Sequence, residues 1–154
     1  MAVLISLVAW AEEIAGKVVT VLDGNTIEVI TEDNETYKIL LHGIDCPELG
    51  QEFGITAKEL LEKLVFDKEV QVKVQGKDRW GNRLGIILVN GEEDPRLELL
   101  KEGLAWTSER NPIEELEILK ERARKSNIGL WKEGNPTPPW IFRRQQTMMQ
   151  PKSS

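Results

Sequence analysis

The apolar positions of this chain alternate in some stretches and recur every three or four residues in others. "GKVVTVLDGNTIEVIT" alternates on both sides of Asp23-Gly24, which predicts two strands joined by a tight hairpin turn. "ETYKILLHGID" predicts a third strand that becomes apolar toward its end. From Phe53 to Phe66 the spacing of Ile55, Leu60, Leu61 and Leu64 predicts a helix. "KEVQVKVQ" returns to strand alternation through Val70, Val72 and Val74, and "RLGIILVNGEE" predicts the next strand, ending in an Asn-Gly turn. Two helices follow. In the first, Asp94 caps, Pro95 takes the first helical position and Gly103 stops; in the second, Asn111 caps, Pro112 starts and Gly129 ends. After Trp131 come the Pro-rich "NPTPPW" and then "RRQQTMMQPKSS", which lacks periodicity and is expected to be disordered.

Three strands, a helix and two strands are the layout of an OB-type barrel. The expectation is an α+β fold, mainly β: a five-stranded OB-type Greek-key barrel with about three helices packed on it. At 154 residues the chain fits one domain with a single core.

Composition changes this picture little. Hydrophobic residues make up 40% and charged residues 30%, as in ordinary globular proteins. The formal net charge of -6 argues against a protein whose whole surface grips nucleic acid, but allows a local basic groove. The single cysteine, Cys46, excludes an internal disulfide. Residues 1–11 hold an apolar run of signal-peptide length with a small-x-small "AWA" step, but no basic residue precedes it. Read as the remnant of a signal peptide, the run implies a secreted or periplasmic protein. Read as a short strand or an apolar tail, it leaves a cytoplasmic one. It is too short to span a bilayer.

Asp45 and Glu48 flank a Cys-Pro step where the third strand ends, an arrangement suited to hard-cation or acid–base chemistry. Around them "VLDGNTIEV", "LHGIDCPELGQEFG", "AKELLEKL", "GKDRWGNRLG", "LLKEGLAW", "ARKSNIGLW" and "PPW" with Phe142-Arg143 follow one another between Gly16 and Arg143. In this series the chain resembles the staphylococcal-nuclease-like (thermonuclease) family. The resemblance implies a domain over residues 12–143, a tail over 144–154, and calcium-dependent hydrolysis of DNA and RNA phosphodiesters.

By that resemblance Asp45 is a metal ligand, Cys46 supplies a backbone carbonyl ligand, Glu48 is the general base, and Thr26 belongs to the ligand turn. Three positions depart. Asn25 stands where the family has a carboxylate ligand, and Leu40 and Asn82 stand where it has phosphate-clamping arginines. Calcium is therefore expected to bind weakly or not at all, and catalysis to be impaired. Lys38, two residues before Leu40, and Arg83, one past Asn82, are the candidate replacements; a shift of one on a strand points Arg83 to the opposite face. Arg79 is expected to support its loop, and Trp80 to stack on bases or pack in the core. His42 reads as structural; Trp106, Trp131 and Trp140 read as covering residues; Lys120–Lys125 reads as a solvated helix face.

Three functions fit. The first is an impaired nuclease that keeps a cleft for single-stranded nucleic acid, a nucleotide or a protein. The second is an active calcium nuclease with compensating residues, and the third a non-catalytic interaction module.

Overall fold

The computed structural model describes residues 12–150. The run read as a signal peptide lies outside them. Strands β1 (Glu13–Asp23), β2 (Thr26–Ile30), β3 (Thr36–Leu41), β5 (Glu69–Lys77) and β6 (Arg83–Val89) close into a barrel in the order β1-β2-β3-β6-β5. Strand β1 is long enough to serve two neighbours. Its first half pairs with β5 (Glu13 with Lys73, Lys17 with Glu69), and its second half pairs with β2 (Lys17 with Ile30, Asp23 with Thr26). Register shifts after Val18 and Val21 bend it between the two partners. All pairings are antiparallel except β3 with β6, which joins Ile39 to Arg83, Leu40 to Leu84 and Leu41 to Gly85. The α+β, mainly β barrel expected from the sequence is the fold observed.

Alternation places Val18, Ile27, Val29, Ile39, Val72 and Ile87 inside, all fully buried. Helix α1 (Gly54–Val65) closes one end with Ala57, Leu61 and Val65, a stripe at intervals of four. Leu60 and Leu64 pack beside that stripe, whereas Ile55 faces solvent. In α2 (Pro95–Lys101) the Asp94 side chain accepts the N–H of Arg96, which is the cap read from the sequence. Helix α3 (Glu114–Lys125) starts later than expected: Ile113 holds the cap position and Asn111 donates its N–H to Ser108 Oγ. Glu114, Glu115 and Glu117 in its first turn complement the helix dipole.

Two departures shape the site. The third strand breaks at Gly43, whose φ of 83° turns the chain out of the barrel. Ile44–Asp45 then form β4, which pairs with β7 (Trp106–Thr107) in a separate two-stranded sheet. The second departure is α4 (Pro139–Met149). The polar stretch from 144, expected to be disordered, is helical through Met149. Pro139 occupies its first helical position, and Trp140 stacks on Trp106. The barrel therefore carries four α-helices among the described residues, and none of these is long and apolar enough to cross a membrane.

Candidate active site

Asp45 ends β4, where it is the register partner of Trp106 on β7. The loop after it is fixed at several points. Glu48 N–H donates to Gln51 Oε1 at 2.9 Å, Gln51 N–H donates back to the Glu48 carbonyl at 2.8 Å, and Gln51 Nε2 reaches the Thr137 carbonyl at 3.0 Å. Gly54 lies so close under the Glu48 carbonyl that a Cβ there would overlap it. The N-terminus of α1 thus packs directly beneath the acid-bearing loop, and Asp45 and Glu48 face one opening.

That opening holds a guanidinium. Arg143 of α4 donates from Nη1 to Asp45 Oδ1 at 3.1 Å, from Nη2 to Asp45 Oδ2 at 2.7 Å, and from Nη1 to Glu48 Oε1 at 2.6 Å. Hydrogen bonds to Asp45, and then to Glu48, raise the arginine further above its ordinary pKa against the opposing effect of burial. In the sequence Arg143 stands out only as the end of a motif. Its place beside "PPW", a helix start with an aromatic anchor, was the available signal.

Asn25 is the third member of the group. Its N–H donates to Asp23 Oδ1 at 2.8 Å, and its Oδ1 accepts the Cys46 N–H at 3.2 Å. The carboxamide oxygen is thus committed to the backbone beside Asp45. Cys46 is buried, and its Sγ donates to the Gly24 carbonyl at 3.2 Å. Burial, then the nearby Asp45 and Asp23 charges, push the thiol pKa well up, so the side chain packs and does not react. Thr26 is buried at the start of β2.

Leu40 lies across from Thr26 on β2 and Leu84 on β6, and a second group of residues sits in the loop between β5 and β6. That group is organised by Asp78. Asp78 Oδ1 accepts the N–H groups of Trp80 and Asn82, each at 2.9 Å, and its Oδ2 accepts Asn82 Nδ2 at 2.9 Å. Burial raises the Asp78 carboxyl, but the hydrogen bonds from Asn82 and Trp80, helped by the Lys38 charge, leave it below its ordinary value. Lys38 is exposed on the face of β3 that Leu40 shares. Trp80 stands 74% exposed, with the Arg79 guanidinium 4.6 Å from its ring centre. Arg83 is engaged elsewhere, over the Tyr37 ring at 4.7 Å and with Glu12 at 3.2 Å.

Calcium takes 6–8 oxygen ligands. Both Asp45 oxygens and one Glu48 oxygen accept from Arg143, and the Asn25 oxygen is neutral and committed. Among the described residues, no group of three or more His, Cys, Asp or Glu side chains is placed to hold a metal ion. Beside the acid pair lies a cavity of about 480 Å³ lined by Asp45, Ser108, Arg110, Asn111, Trp140 and Arg144, among others.

A family model described as "Staphylococcal nuclease homologue" matches residues 38–133. A protein of Haemophilus influenzae named "Uncharacterized endonuclease" is 34% identical over 131 residues, covering 84% of this chain and 73% of that protein. A protein of the same name from Escherichia coli O157:H7 is 36% identical, over 87% of this chain and 88% of its own. The "Micrococcal nuclease" of Shigella flexneri is 35% identical, over 92% and 86% respectively.

Proposed function

Because the chain belongs to the staphylococcal nuclease homologue family, we propose that it is a nucleic-acid-binding nuclease domain whose phosphodiester hydrolysis is severely impaired. One observation carries this reading. At Asn25, Leu40 and Asn82, no charged group points toward a phosphate: Asn25 serves Cys46, Leu40 is aliphatic, and Asn82 serves Asp78.

Attack on a phosphodiester gathers negative charge on the phosphoryl oxygens. Glu48 retains the chemistry of a base able to draw a proton from an attacking water. The step then needs cations beside the phosphate. An arginine in that role can supply about 10³–10⁵ in rate, or about 4–7 kcal/mol of barrier. Leu40 donates nothing, and Asn82 offers an uncharged donor already in use. What remains is a surface for single strands. Trp80 presents an exposed ring with the Arg79 guanidinium 4.6 Å from its centre, and the Lys38 charge acts on Asp78, which holds the Trp80 backbone.

A second reading, an active nuclease with a compensating residue, is favoured by the Arg143 guanidinium beside Glu48. Digestion of single-stranded DNA by the unmodified chain, with calcium and with a chelator, separates the two. Slow or absent cleavage in both, with retained oligonucleotide binding, supports impairment. Calcium-dependent turnover that disappears in Glu48→Gln overturns it in favour of the active enzyme.

A further inference from the structure

We propose that Arg143 is the resident cation of the Asp45–Glu48 pair, so that its guanidinium and a divalent metal ion compete for the same carboxylate oxygens. This goes beyond the functional reading, since it concerns which cation the acids hold and stands whether or not hydrolysis survives.

The delivery of Arg143 is built into the fold. Asp45 and Trp106 are register partners across β4 and β7. Trp140 and Arg143 are three residues apart and share one face of α4. The Trp140 ring meets the Trp106 ring edge-on, at 5.4 Å between centres, and Trp106 in turn packs on Trp131 at 4.7 Å. Seating Trp140 on Trp106 therefore sets Arg143 over Asp45, one pair beside the other. Pro138 and Pro139 fix the backbone entering the helix, and Gln51 holds the Thr137 carbonyl from the acid-bearing loop itself. Helix and loop arrive as a matched set.

The charge balance points the same way. Two ionised carboxylates facing one opening repel each other, and a planar fork that reaches three of their oxygens relieves that repulsion. A metal ion would need those same oxygens and would meet the arginine's positive charge at close range. Asn25, a neutral amide turned to Cys46, adds no charge that could draw a divalent ion in. The side chains are 27% to 48% exposed, so the bridge can open and the competition is measurable.

The test is a calcium titration by calorimetry on the unmodified chain, Arg143→Met and Arg143→Lys. Arg143→Met keeps an apolar stem and removes the charge, so it should bind calcium at least about fivefold more tightly than the unmodified chain. Adding Asp45→Asn should abolish that gain. Arg143→Lys keeps a charge without the fork and should gain less, about two- to threefold; it also carries the comparison if Arg143→Met does not fold. Equal affinity across the folded variants, including no calcium binding by any of them, overturns the proposal. None of these readings involves cleavage, so a failure here leaves the nuclease assay to be judged on its own.

Discussion

Asn82 Nδ2 donates to Asp78 Oδ2 at 2.9 Å, while the Asn82 N–H donates to Asp78 Oδ1 at the same distance. The side chain at 82 thus closes its own loop and extends nothing toward the acid pair. The backbone half of that pairing does not depend on residue type, so the loop should tolerate an arginine at 82. Combined with Asn25→Asp and Leu40→Arg, Asn82→Arg returns one anionic ligand and two guanidinium groups to the cleft. Cleavage of single-stranded DNA with calcium should rise by about 10³ or more over the unmodified chain. A triple variant that folds, binds the strand and cleaves no faster would refute the charge argument.

Trp80 protrudes from the β5–β6 loop with Arg79 on one side of its ring. It buries little, so Trp80→Ala should change stability by less than about 0.5 kcal/mol. If bases stack on the ring, the same change should weaken a single-stranded oligonucleotide by about 1–3 kcal/mol. Fluorescence anisotropy with a labelled oligonucleotide in chelator measures it. Unchanged binding would reassign the protruding ring to some other contact.

Arg96 is the buried cation that supports the turn before the site. Its guanidinium is forked onto Asp94, with Nη2 to Oδ2 at 2.8 Å, and its Nη1 donates to the His42 carbonyl at 2.7 Å. With the Arg96 and Asp94 side chains only 8% and 14% exposed, removing one partner leaves an uncompensated charge. Arg96→Met should cost about 3–5 kcal/mol, read as a lower urea midpoint. A loss below 1 kcal/mol would mean that the ion pair contributes little beyond its packing.

His42 carries a pH signature. Burial, then the Arg96 charge, lower its pKa from the ordinary 6.5. Below that value the unfolded chain takes up a proton that the folded chain refuses. Stability is therefore full above about pH 6.5 and falls as pH drops from there toward the lowered folded value, by at most about 1.4 kcal/mol per pH unit. His42→Gln should flatten that part of the stability profile in denaturation series run at neutral and mildly acidic pH. An identical slope in both proteins would place the pH dependence in the carboxylates.

The barrel was readable because its signals are local. Val70 and Val72 alternate into the core, and Asp94 with Pro95 announces α2 within two residues. The acid pair was readable as well, being three residues apart in an unusual loop. What escaped was set by distant contacts. The residues after Trp140 have no strong apolar stripe; their helix is held by Trp106 and by an arginine whose carboxylate partners lie 98 and 95 residues earlier. The break at Gly43 was hidden for the same reason. Ile44 and Asp45 look like a continuation of β3 until Trp106 and Thr107 are there to pair with them.

The parallel joint between β3 and β6 spans only three residue pairs, and it lies beside two of the altered positions: Leu40 is within it, and Asn82 immediately precedes it. A short zipper between strands far apart in sequence is where a barrel breathes first, and where amide protons should exchange soonest. A polynucleotide laid from Lys38 to Trp80 would cross that joint like a stitch. Its imprint would then be slower hydrogen exchange at His42, whose N–H crosses the seam to the Gly85 carbonyl at 3.0 Å, making the seam a reporter of occupancy even where no bond is cut.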